Sequence, residues 1–93
     1  MNPARGEVPL TIDGEARTLC LTLGALAAIE AGLRCSGFAE LGARLKRLSA
    51  ADLILVAEAL LTGGEGVVLD LSTARIDPAE AARAVAESFE RAL

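Results

Sequence analysis

Apolar and polar positions alternate at the start of the chain. Val8, Leu10 and Ile12 are separated by Pro9 and Thr11, and Leu19, Leu21 and Leu23 by Cys20 and Thr22. A period of two marks two half-buried strands, and Asp13-Gly14 between them is a hairpin signal. A strict two-residue loop would set Ile12 against Glu15 and Leu10 against Arg17, with charge facing the apolar side. A four-residue connection, Asp13 to Ala16, pairs Leu10 with Leu19, Val8 with Leu21 and Thr11 with Thr18. The longer turn is therefore expected, with Gly14 at positive φ. Pro9 has no N–H for a ladder, so the first strand is an edge there.

At Thr22-Leu23-Gly24 the period changes to that of a helix, with no linker. Thr22 is an N-cap candidate for a first helix over about Leu23–Ala31, with Gly32 as its stop. Leu23, Leu26, Ile29 and Leu33 share a face. Ser36 is expected to cap a second helix, about 37–48, with Phe38, Leu41, Leu45 and Leu48 inward and a Glu40–Arg44 pair outside. Ser49 and Asp52 form a capping-box pattern for a third helix, which should stop at the double glycine Gly63-Gly64. Val67–Leu71 reads as a short strand or as a loop packed on the core. Asp77-Pro78-Ala79-Glu80 is a helix start: cap, Pro at the first position, Glu at the third. The fourth helix runs to the end, with Ala82, Val85, Ala86, Phe89 and Leu93 on one face and Arg83, Glu87 and Arg91 on the other. The expected class is α+β, mainly helical: an N-terminal β-hairpin (7–22) and four short helices (23–93) in one domain, 1–93.

Composition narrows the function. Ninety-three residues hold 53% apolar side chains but only two Phe and no Trp or Tyr, so the core is aliphatic. Nine basic and thirteen acidic residues leave a net charge of −4. An acidic chain with few rings lacks the basic face and stacking platform that nucleic acid requires. No window reaches the roughly 18 apolar residues of a membrane span, and the start has no apolar signal core, so the expected compartment is the cytoplasm. Two cysteines, Cys20 and Cys35, are too few for a disulfide scaffold.

Catalytic chemistry finds little footing. With no histidine, Ser-His-Asp and Cys-His nucleophile systems and the usual zinc sets are absent. Asp70, Asp77 and Glu80 match no acid/base or calcium spacing, and "GGEG" at 63–66 lacks the Lys-Ser/Thr of a phosphate loop. The expectation is a non-enzyme without metal or cofactor.

What remains is interaction surface. The third helix carries Leu53, Val56, Ala57, Leu60 and Leu61 on one stripe, with Leu55 and Ala59 pointing roughly the other way. Either the helix is buried on nearly all sides, or Leu55 and Ala59 form a second apolar face for a partner. Glu30 projects among Leu23, Leu26 and Leu33; it reaches solvent, caps a nearby helix end or meets a partner. Leu55, Ala59 and Glu30 are thus the candidate partner-binding residues. Arg44, Lys46 and Arg47 form the sole basic cluster, a solvated surface or a site for an acidic partner. The hairpin edge is a further place where a strand from another chain could pair.

Two blocks carry a family resemblance: "NPARGEVPLTIDGEARTLCLTLGALAAIEA", with Asn2-Pro3-Ala4-Arg5-Gly6-Glu7 leading the hairpin and Leu21-Thr22-Leu23-Gly24-Ala25-Leu26 beginning the first helix, and "ARIDPAEAARAVAESFERAL" at the end. Together they resemble the small tail-assembly protein of gene transfer agents and related tailed phages, a family described both as a tail tube protein and as a tail assembly chaperone. The resemblance implies a non-enzymatic, cytoplasmic chaperone that holds the tape-measure protein until tail tube protein polymerises around it. The alternative it implies is a structural subunit of the tail tube or connector. Partners would be those tail proteins, with neither nucleic acid nor membrane, and a homo-oligomer stays open.

Overall fold

A hairpin and four helices make up the chain, seen in a computed structural model that describes residues 6–92. Strands β1 (Val8–Ile12) and β2 (Glu15–Leu19) are antiparallel, and helices α1 (Leu23–Leu33), α2 (Phe38–Leu45), α3 (Ala50–Glu65) and α4 (Pro78–Ala92) follow. This is the expected α+β, mainly helical arrangement. Leu93, expected on the inner face of the last helix, lies outside the described residues, as do Asn2–Arg5 of the resemblance.

The hairpin register corrects the expectation. Its loop is Asp13-Gly14 alone, at φ 53° and 81°, the left-handed pair of a tight hairpin turn. Ile12 pairs with Glu15, Leu10 with Arg17 and Val8 with Leu19. The charge opposite the apolar face is tolerated because β1 and Leu19 carry that face. Val8, Leu10, Ile12 and Leu19 are buried, while Arg17 stays partly exposed near the carboxylates of Glu15 and Glu65, at 3.8 and 4.0 Å.

Outward N–H groups on both edges of the hairpin are bonded within the chain. Thr11 N–H donates to Glu80 Oε1 at 3.0 Å on one side. On the other, Thr18 N–H donates to Glu65 Oε2 at 2.7 Å and Cys20 N–H to the Leu60 carbonyl at 3.0 Å. The chain's own helices supply acceptors for these N–H groups, which an edge would otherwise offer to a neighbour.

Neither Gly32 nor the double glycine Gly63-Gly64 stops its helix, contrary to expectation. α1 runs through Gly32 and ends with Arg34 at φ 58°. Gly32 instead makes room for α3: a Cβ there would lie 2.6 Å from Leu55 Cδ1. Likewise α3 continues through Gly63-Gly64 and closes on Gly66 at φ 77°. Gly63 and Gly64 face β2, where a Cβ would overlap the carbonyl oxygens of Cys20 and Thr18. The caps on Thr22 and the Ser49–Asp52 capping box form as expected.

Helix α2 is shorter than 37–48, and its N-cap is Gly37 rather than Ser36, without a side-chain cap bond of its own. Glu30 provides one from α1, its Oε2 accepting the Gly37 N–H at 3.2 Å. Arg44 pairs with Asp52 at 2.7 Å instead of with Glu40. The capping box already holds Asp52 in place, whereas an exposed Glu–Arg pair one turn apart contributes only about 0.2–0.5 kcal/mol. On α4 the buried face is Ala81, Ala84, Val85, Ser88 and Phe89. Val85 and Phe89 are inward as expected, but Ala82 and Ala86 are exposed. The Arg91–Glu87 pair forms at 2.7 Å.

Residues 67–76 form a loop packed on the core, without a strand. Leu71 is buried, and its N–H donates to Glu58 Oε2 at 2.8 Å. Arg75 exchanges two bonds with the hairpin tip: its N–H donates to Asp13 Oδ1 at 2.8 Å and its carbonyl accepts the Asp13 N–H at 3.0 Å.

Candidate partner-binding surface

Helix α3 is the centre of the molecule. Val56, Ala57, Leu60 and Leu61 are buried, and Leu53, Leu55 and Ala59 are partly buried against the same core. Its exposed apolar residues, Ala50, Ala51 and Ile54, lie in the first turn and a half. Two apolar grooves meet there. One lies between α3 and the 67–76 loop, bounded by Ile54, Ala57, Leu71 and Ile76. The other, of about 330 Å³, runs between the end of α2, the start of α3 and α4. Leu45, Leu48, Leu53, Val85 and Phe89 line it, with the small Ala82 and Ala86 on the α4 wall. Ala50 and Leu53 belong to both grooves.

The wall formed by α2 is pinned electrostatically. Arg44 Nη1 donates to Asp52 Oδ2 at 2.7 Å and to the Arg47 carbonyl at 3.3 Å. The Arg44 hydrogen bond, then the Ser49 N–H, lower the Asp52 pKa from 3.8 to about 2, and the same bond raises that of Arg44. Ion pair and capping box together tie the last turn of α2 to the first turn of α3. On α3's far side from α4 sits a second apolar surface. The outer face of α1 presents Leu23, Gly24, Ala27, Ala28 and Ala31, with Leu23 82% exposed. α1 meets α3 at Leu55 and α4 lies beside Leu53, positions about 160° apart around a helix.

A family described as "Phage tail tube protein, GTA-gp10" matches residues 5–93. The chain belongs to this family. Comparison with curated proteins and with solved structures gives no match. Membership gives this phage tail protein a structural role connected with the tail, and its exposed apolar surfaces are read in that setting.

The candidate residues of this tail tube family member fall on the α1 side of α3. Leu55 is partly buried against Gly32, Ala59 is partly buried against the core, and Glu30 is partly buried and bonded to the α2 N-terminus. A groove between helices is in keeping with the surplus of apolar helix surface, but its location between α2, α3 and α4, and the apolar outer face of α1, are not given by the sequence pattern. Leu23 and Phe38, expected on inward faces, are 82% and 69% exposed. Each is the first residue of its helix, where the chain enters from solvent and the next turn makes the inward contacts. One signal was available for α1: from Leu23 to Ile29 it has no charged residue on any face, the pattern of a helix covered all round. Among the described residues no group of three or more His, Cys, Asp or Glu is placed to hold a metal ion, and no helix is long and apolar enough to cross a membrane.

Proposed function

We propose that this tail protein is an assembly chaperone, acting in the cytoplasm, that holds a helical segment of the tape-measure protein before the tail tube polymerises. The α2–α3–α4 groove carries the reading. Its floor is Leu53, Val85 and Phe89, and the two alanines on its α4 wall let a second helix approach closely. Transient holding needs less than the roughly 800 Å² per partner of a stable complex. Binding through Leu55, Ala59 and Glu30 would require α1 to move off α3; Leu55→Asp tests that mode, weakening tape-measure capture while the monomer stays folded if it operates.

A second reading, a permanent subunit of the tail tube or connector, is favoured by the family's description and by the α1 outer face. A subunit that stacks head to tail needs two different contact surfaces, and the groove and that face lie on different sides of α3. Mass spectrometry of purified particles separates the readings. The chaperone reading expects the chain to co-purify with the tape-measure protein on co-expression and to be missing from finished particles. Stoichiometric presence in particles overturns it in favour of the subunit.

A further inference from the structure

We propose that the α2–α3–α4 groove selects an amphipathic helix with an acidic flank, laid with that flank along the end of α2. The proposal rests on the docking role given to the groove above and specifies the chemistry of its occupant. Leu45 and Leu48 line the groove, and between them stand Lys46 and Arg47, both exposed. Arg44, the third cation of the cluster, is already held by Asp52. Among the described residues neither Lys46 nor Arg47 has a carboxylate partner.

The opposite wall supports the same polarity over its N-terminal half. Arg83, also exposed and without a carboxylate partner among the described residues, follows Ala82 there. Further along α4, Glu87 is occupied by Arg91, and Glu90 is the anion left on that rim. Of the five described cations without a carboxylate partner, three, Lys46, Arg47 and Arg83, thus stand next to groove residues in a chain of net charge −4, while Arg34 and Arg75 lie at the end of α1 and by the hairpin tip. An occupant with Glu or Asp along one side of its apolar stripe would satisfy both features at once, and a Lys-flanked helix would be repelled.

Overlapping peptides of about 20 residues, tiled across the tape-measure protein, provide the probe. Binding is measured to the wild type, to Lys46→Glu/Arg47→Glu and to Ala86→Glu, each checked for an unchanged melting temperature. The wild type is expected to capture acidic-flanked amphipathic peptides, more weakly as salt is raised. The double reversal should weaken that capture about tenfold and turn the preference toward basic peptides. Ala86→Glu should abolish capture of both kinds. Capture blocked by Ala86→Glu but indifferent to peptide charge and to the double reversal overturns this inference and leaves the docking role standing. No capture, or capture that Ala86→Glu leaves unchanged, overturns the docking role and this inference with it. A dimer in light scattering that Ala86→Glu dissociates overturns the proposal by making a second copy of the chain the occupant.

Discussion

Gly64 is the penultimate residue of α3, and its backbone lies directly against the Thr18 carbonyl. A methyl group there meets backbone on a hydrogen-bonded strand that cannot give way. Gly64→Ala should therefore cost about 1–3 kcal/mol in denaturant unfolding, despite alanine's higher helix propensity. Gly32→Ala should stay within about 1 kcal/mol of wild type, because its Cβ meets only the flexible end of Leu55 and the helical gain offsets the repacking. Asp52 supplies a pH prediction. Its pKa in the folded chain is about 2, below the ordinary 3.8, so its ionised form favours the fold. That contribution is whole above 3.8 and is lost as pH falls through about 2. Melting scans across this window should show a steeper acid loss for the wild type than for Asp52→Asn.

Elements here are fastened to one another by carboxylates that accept backbone N–H groups. Glu80 takes Thr11 on the β1 edge, Glu65 takes Thr18 on the β2 edge, Glu58 takes Leu71 in the loop and Glu30 takes Gly37 at α2. Removing Glu65 strands a part-buried N–H, so Glu65→Ala should cost about 1–3 kcal/mol, read by denaturant melts. Glu80→Ala should cost less, about 0.5 kcal/mol, because water replaces the lost acceptor at the exposed Thr11. These fastenings explain which boundaries were legible. Signals confined to neighbouring residues, such as the Ser49–Asp52 capping box, the Thr22 cap and Asp77-Pro78, are satisfied within one turn and read correctly. The ends of α1 and α3 did not, because a glycine that ends a helix and one that admits a neighbouring backbone or side chain are the same residue in the sequence.

For the whole molecule the decisive feature is the placement of α3 at the centre. The hairpin, α1 and α4 pack around it and leave two apolar surfaces on different sides. Leu23 and Phe38 are held by few contacts, so Leu23→Glu and Phe38→Glu should each change stability by no more than about 0.5 kcal/mol. If the groove alone holds the tape-measure protein, Leu23→Glu should also leave its capture in co-expression pull-downs unchanged. Loss of capture would transfer the binding role to the α1 face. Of the candidate site, the basic cluster and the surplus of apolar helix surface were visible beforehand. The lining of the groove was not, since Leu45 ends α2, Leu48 lies in the connection to α3, and Ala82 and Phe89 belong to α4, so only the packing of these elements brings them together.

The sequence by itself determined the class of fold, the order of a hairpin and four helices, most helix starts and the aliphatic core. Those follow from periodicity and from caps that act over a few residues. Only the tertiary structure decided the hairpin register, the roles of Gly32, Gly63 and Gly64, and which apolar residues stay in water. Each depends on what another element places opposite it: Leu55 opposite Gly32, the β2 carbonyls opposite the double glycine, and a buried β1 face that lets Arg17 turn to solvent.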